Sequence, residues 1–190
     1  MISKTIENYI FIDTETGGID PNKHSLLSIG LCAWNIKDGI IGEKEIFVKN
    51  DNYIVTKHAR AMNKFNEESH SKVALDQKTA IQELIKFCRE YVPEQYAIPI
   101  IGHNIQFDVS FLKVLFNQNH RSFNQYFSHR YIDTYSVFKT LVIAGIIEDK
   151  LDSSSDAFSY FGIKVHGRHS AIGDCVATVE LYEKIIKLIK

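Results

Sequence analysis

Ile10-Phe11-Ile12 is a compact apolar run that ends at Asp13, and this pattern predicts a buried strand over residues 8–13. Leu26 to Ile36 (Leu-Leu-Ser-Ile-Gly-Leu-Cys-Ala-Trp-Asn-Ile) reads as a second strand and Glu43 to Val48 as a third, with Lys37-Asp38-Gly39 marking the turn between them. Three strands in succession with a tight turn suggest an antiparallel meander. The period then changes. Between Asp76 and Tyr91 apolar residues fall at 80, 81, 84, 85, 88 and 91, one face of a helix that Asp76 can cap and Pro93 stops.

Ala97 to Ile101 is a short buried strand, followed by a helix from about Asp108 to Asn117. Asp133 to Ala144 reads as a helix ended by Gly145, and Ser155 to Phe161 as a short one ended by Gly162. The last helix, Gly173 to Ile189, carries apolar residues at 175, 176, 179, 182, 186 and 189. A meander followed by alternating helices and strands is an α/β domain with a mixed sheet. No repeat, low-complexity block or Pro/Gly-rich linker divides the 190 residues, so a single domain over 1–190 is expected.

The bulk numbers narrow the class without naming a function. Hydrophobic residues make up 45% and charged residues 24%, as in ordinary soluble domains. No apolar run approaches the roughly 20 residues that span a bilayer. Met1 to Asn8 mixes Lys4 and Glu7 with polar residues and lacks the apolar segment of a signal peptide, so a cytoplasmic protein with no membrane partner is expected. The three cysteines, Cys32, Cys88 and Cys175, sit in apolar patterns and read as buried free thiols. A net charge of −1 argues against holding long nucleic acid by phosphate contacts alone. Any such role needs a compact site in which metal ions supply positive charge.

Candidate chemistry lies where the predicted strands end and helices begin. Asp13 and Glu15 are two apart on an extended chain, so their side chains point the same way. Two adjacent carboxylates repel unless a cation sits between them. Asp108 and Asp174 each open a predicted helix, where a lone Asp is ordinarily a cap or a dipole partner. Taken together, four acids with all-oxygen chemistry suit Mg²⁺ or Mn²⁺ rather than zinc. His169, five residues before Asp174, adds a group whose type suits proton abstraction from water near neutral pH.

Asp13-Thr14-Glu15, then His103-Asn104-x-x-Phe107-Asp108, then His169-x-Ala171-x-x-Asp174 resemble the three motifs of the DnaQ-like 3′→5′ exonucleases, in the branch with a catalytic His (DEDDh). Gly17, Gly18 and the Ile132-Asp133-Thr134 step fit the same pattern, and the resemblance runs from about residue 8 to 184. It implies a ribonuclease H-like fold: a mixed β-sheet, a three-strand meander plus parallel strands, flanked by helices. It also implies two divalent ions about 4 Å apart, Mg²⁺ or Mn²⁺, clamping the scissile phosphate. Asp13, Glu15 and Asp174 are then ligands of the ion that holds the attacking water, and Asp13 bridges to a second ion supported by Asp108, directly or through water. His169 takes the proton from that water.

By the same resemblance Thr16, Gly17 and Gly18 approach the terminal nucleotide, and His103 and Phe107 border the site. Phe107 is equally a core residue by type. Ala59 to Phe65 occupies the place where relatives carry an Ala followed by a Gly-Ile pair near the terminal base; Lys64 departs from that Gly, and Met62 and Asn63 are candidate base contacts. His120, Arg121, His129 and Arg130 form a modest basic segment, read as a solvated loop that is also open to upstream phosphates.

The expected activity is removal of nucleoside 5′-monophosphates from single-stranded 3′ ends. Asp-Thr-Glu-Thr-Gly in the first motif is more similar to the proofreading exonucleases of the DNA polymerase III epsilon-subunit type and to repair members, which favours DNA over RNA. Proofreading would then be exercised in trans or with a polymerase or repair partner. The alternatives are an oligoribonuclease-type 3′→5′ exoribonuclease, a phosphohydrolase acting on small nucleotides, and a catalytically inactive nucleic-acid-binding scaffold.

Overall fold

The computed structural model describes residues 7–94, 96–147, 153–167 and 169–189. Residues 1–6, including Lys4, lie outside the described residues. The chain runs β1 (Tyr9–Thr16), β2 (Leu26–Asn35), β3 (Gly39–Phe47), α1 (Lys57–Met62), α2 (Glu67–Val73), α3 (Gln77–Tyr91), β4 (Ile98–Gly102), α4 (Gln106–Gln118), a 3₁₀ turn (Phe123–Gln125), β5 (Phe127–Asp133), α5 (Thr134–Ile143), α6 (Ser154–Tyr160) and α7 (Ala171–Ile189). The five strands form one sheet in the order β3-β2-β1-β4-β5. β1, β2 and β3 are the expected antiparallel meander, and β4 and β5 add in parallel. This is the mixed, helix-flanked sheet of ribonuclease H-like folds.

Alternation along β1 sorts its side chains onto two faces. Ile10 and Ile12 pack with Ile29, Leu31 and the buried faces of α3 and α4, including Leu84, Phe111 and Leu112. Phe11 points the other way, into a cluster with Cys32, Trp34, Cys175 and Val179 beneath α7. Asp13 and Glu15 continue the α7 side; Thr14 continues the α4 side. All three cysteines are buried free thiols, as expected. Among the described residues, no helix is long and apolar enough to cross a membrane.

Several elements depart from the sequence reading. β1 extends to Thr16, so Glu15 as well as Asp13 lies within the strand. β3 starts at Gly39, where a positive φ of 73° completes the turn, not at Glu43. α4 starts at Gln106, two residues before Asp108. The segments Lys57–Met62 and Glu67–Val73 are helical and Phe127–Asp133 is an edge strand, none of which the hydrophobic pattern announced. His129 and Arg130 are therefore exposed residues of a strand, not part of a loop.

α7 has two apolar faces where one was expected. Cys175 and Val179 meet the sheet, while Ala177, Leu181 and Ile185 pack with Phe138 of α5 and Phe158 of α6. Ile189, assigned to the apolar face, is exposed. This double burial makes α7 a rigid carrier for residues at its N-terminus.

Gly30 on β2 fixes where that N-terminus sits. A Cβ built there would lie 2.2 Å from the carbonyl carbon and oxygen of Ala171. Gly→Ala in a strand ordinarily gains about 0.5–1 kcal/mol from backbone entropy. Displacing packed backbone costs about 1–3 kcal/mol, so the clash wins. Gly30→Ala is expected to lower stability, read as a fall in the urea midpoint at unchanged m-value.

Candidate active site

Asp13 and Glu15 project from the central strand toward α7, and Asp174 comes from the first turn of α7 to meet them. One carboxylate oxygen from each lies within 4.8 Å of the others. Oxygens bound to one hard cation at about 2.0–2.6 Å lie no more than roughly 4–5 Å apart, so this triangle matches the span of such an ion's ligand shell. Carboxylate oxygens alone favour Mg²⁺ or Mn²⁺ over softer metals. Asp174 is buried, whereas Asp13 and Glu15 are half-buried.

Asp108, on α4, lies against the opposite face of β1. Its carboxylate accepts a hydrogen bond of 2.7 Å from Thr14 Oγ1, and both residues are buried. Burial pushes the Asp108 carboxyl up to about 7, against the lowering effect of the Thr14 bond, with a further upward push from the charge of Asp133. The structure thus groups Asp13, Glu15 and Asp174 and leaves Asp108 outside the triangle, linked to it through the strand residue between the two acids.

Asp133 organises the approach to α4. Its Oδ1 accepts from the backbone N–H of Asn104 (2.8 Å) and of Tyr135 (3.1 Å), and its Oδ2 from Ser136 Oγ (2.8 Å). Asn104 has a positive φ of 56°, so this bond holds the strained turn that delivers Asp108.

His169 and Glu15 line one cavity of about 220 Å³, together with Ser28, Glu45 and Asn63. His169 itself has φ 63°, the left-handed region that non-glycine residues rarely occupy. Asn63 Nδ2 donates to the carbonyl of Thr16 (3.0 Å), tying α1 to the end of β1. Lys64 has φ 48°, so the position where relatives carry Gly keeps the backbone that favours Gly.

The other candidate substrate residues lie elsewhere or are engaged with the fold. Thr16 Oγ1 donates to the carbonyl of Gly18 (2.8 Å). A Cβ at Gly17 would stand 2.1 Å from the Ile54 carbonyl oxygen, and one at Gly18 would strike the His24 ring. Both glycines are thus required by the chain's own packing. Met62 is exposed and does not line the Glu15–His169 cavity. His103 Nδ1 sits 3.0 Å from Thr134 Oγ1, with its ring against Tyr135. Phe107 packs against the core, 5.1 Å from Phe111 between ring centroids.

Glu45 is the site neighbour that sequence reasoning missed. Burial raises its pKa above the ordinary Glu value, against the opposing pull of the Ile172 and Ala171 N–H groups and of Ser28 Oγ, which stands 3.4 Å from its carboxylate. An acid in an alternating strand looks like a solvent-facing residue; only the strand register reveals what covers it.

Comparison with known proteins agrees with the geometry. The RNase_T family model, described as exonuclease, matches residues 10–182. Ribonuclease T of Wigglesworthia glossinidia brevipalpis is 25% identical over 209 aligned residues, covering 97% of this chain and 91% of that protein. An oligoribonuclease of Shewanella baltica is 29% identical over 148 residues, covering 72% of this chain and 76% of that protein. Among solved structures, E. coli exonuclease I in complex with a dT13 oligonucleotide superposes with a TM-score of 0.75 at 14% identity, over 94% of this chain. This chain spans 41% of exonuclease I, and at that identity the likeness shows the fold. With the family match running through nearly all of the sequence, the chain belongs to the RNase_T family of DnaQ-like 3′→5′ exonucleases.

Proposed function

We propose that this protein removes nucleoside 5′-monophosphates from single-stranded 3′ ends by divalent-metal-dependent hydrolysis, with DNA favoured over RNA. The observation that carries this reading is the convergence of Asp13, Glu15 and Asp174, with His169 lining the cavity that Glu15 also lines. Asp13, Glu15 and Asp174 would hold the metal, two Mg²⁺ or Mn²⁺ ions in the working enzyme, with Asp108 as an outer support of the second. Bound there, such ions supply positive charge to the scissile phosphate and make water more acidic.

The chain's own groups do the remaining work. An imidazole nitrogen of His169 accepts the proton of the attacking water. Asn63 braces the carbonyl of Thr16 and so fixes the floor under the terminal nucleotide. Asp174, held on a helix buried on two faces, keeps its carboxylate in place as charge develops on phosphate. The small net charge fits a substrate gripped at its end rather than along its length.

DNA preference rests on the Asp-Thr-Glu-Thr-Gly form of the first motif, and implies proofreading or repair with a polymerase or repair partner acting in trans. A second reading, an exoribonuclease on the same site, rests on the names of the relatives, ribonuclease T and oligoribonuclease. Incubation with Mg²⁺ and 5′-labelled single-stranded DNA, RNA and a dinucleotide separates the two. A one-nucleotide ladder that is faster on DNA supports the first; one faster on RNA, or on the dinucleotide, supports the second. Binding without turnover in Mg²⁺ or Mn²⁺ overturns both in favour of a scaffold.

Loss of the general base is expected to cost about 10²–10⁴-fold in kcat, so His169→Ala should fall in that range. Asp13→Ala should be more severe, since it removes a ligand shared by both ions; rates from the labelled-DNA ladder check the order.

A pH effect follows from Asp108. Its carboxyl titrates near 7 in the folded protein against an ordinary value of 3.8, so the folded state holds the proton more tightly. The metal-free protein therefore loses stability as pH rises from about 4 through 7. Asp108→Asn should raise the Tm of metal-free protein at pH 8, with the gain shrinking toward pH 4, while lowering Mg²⁺-dependent activity.

A further inference from the structure

Register places Asp13 opposite Gly30 on β2, and Gly30 opposite Glu45 on β3. The three form one row across adjacent strands, on the face that α7 covers. Gly30 leaves a bare patch in the middle of that row, and the backbone of Ala171 and Ile172 rests on it. The N-terminus of α7 is thus seated between an acid of the metal triangle and an acid outside every recognised motif.

The first four N–H groups of a helix have no partner within it. In α7 these are the N–H groups of Ser170 to Gly173. Ser170 N–H donates to the carbonyl of Gly167 (2.9 Å) and Gly173 N–H to Ser170 Oγ (3.2 Å), while Asp174 N–H makes the first rung of the ladder, to the carbonyl of Ser170 (3.0 Å). The N–H groups of Ala171 and Ile172 face the Glu45 carboxylate and favour its charged form. A residue just before a helix ordinarily caps it, and Ser170 does half of that work. The remaining half is supplied from another strand. His169 immediately precedes this arrangement at φ 63°, a strained conformation that persists where neighbouring structure enforces it.

We propose that Glu45 is a positioning residue, a clamp on the N-terminus of α7 that sets the His169 turn and the Asp174 carboxylate against Asp13 and Glu15. The proposal rests on the exonuclease reading for its catalytic consequence, and on the metal triangle alone for its effect on ion binding. A plain helix cap would add stability and change neither ion affinity nor turnover.

The test uses the full chain with Glu45→Ala, Glu45→Gln and, as a control, Glu43→Gln, an exposed acid on the same strand. Mn²⁺ affinity is measured by calorimetry without substrate, and kcat and KM on 5′-labelled single-stranded DNA with Mg²⁺. Residues that orient metal ligands typically affect metal affinity or activity by 10–100-fold, so Glu45→Ala should lose about that factor in both Mn²⁺ affinity and kcat, with KM little changed. Glu45→Gln keeps an acceptor oxygen at the same reach and should recover the larger part; Glu43→Gln should match wild type. A Glu45→Ala protein with a lowered urea midpoint but wild-type Mn²⁺ affinity and kcat overturns the proposal.

If Glu45→Ala fails to fold, Glu45→Asp decides: one methylene short, it should fall below Glu45→Gln in Mn²⁺ affinity and kcat, and wild-type values overturn the clamp. A wild type that binds Mn²⁺ but degrades no substrate overturns the exonuclease reading, and the Mn²⁺ affinities of the variants then judge the clamp. A wild type that does neither overturns both.

Discussion

Three carboxylates must be held together against their own repulsion, and much of this structure serves that constraint. Two unit charges about 5 Å apart near a protein surface repel by roughly 3 kcal/mol. Here Asp13, Glu15 and Asp174 approach within 4.8 Å of one another. Two of them stand on the central strand, paired to β2 on one side and β4 on the other. The third stands on a helix buried against both the sheet and the α5–α6 pair. A cation placed among them converts this cost into binding energy, which is why rigid elements rather than loops carry the site.

The alternation of β1 divides labour between its two faces. Asp13 and Glu15 look toward α7 and remain half-buried, while Thr14 between them turns into the other layer and meets Asp108. One strand therefore presents charged ligands to a cavity and anchors a buried acid behind them. The different surroundings matter: burial raises the Asp108 carboxyl to about 7, so its charge is readily lost near neutral pH. Electrostatics and packing meet in three consecutive residues.

Legibility in the sequence followed burial. The strands at Ile10, Leu26–Asn35 and Ile98–Ile101, and the helix over Gln77–Tyr91, announce themselves because they are sealed against the core on at least one face. α1 and α2 each bury a single residue, Ala59 and His70, which leaves no apolar period to read. β5 lies at the sheet edge with Ser128, His129 and Arg130 in its first half, so its alternation is broken by water. Gly145 and Gly162 end their helices with φ 70° and 64°, as local turn chemistry predicts.

The sequence by itself determined the acids, the histidine and the order of motifs, because residue type and spacing on an extended or helical segment fix which groups share a face. It also carried the family resemblance that the match over residues 10–182 bears out. Only the tertiary structure decided which acids converge, since that depends on where α7 lands on the sheet. Gly30 lets it land there, and Glu45 meets it from the far strand. Glu45 illustrates the limit: its neighbours along the chain describe an ordinary strand acid, and its partners are brought to it by the fold.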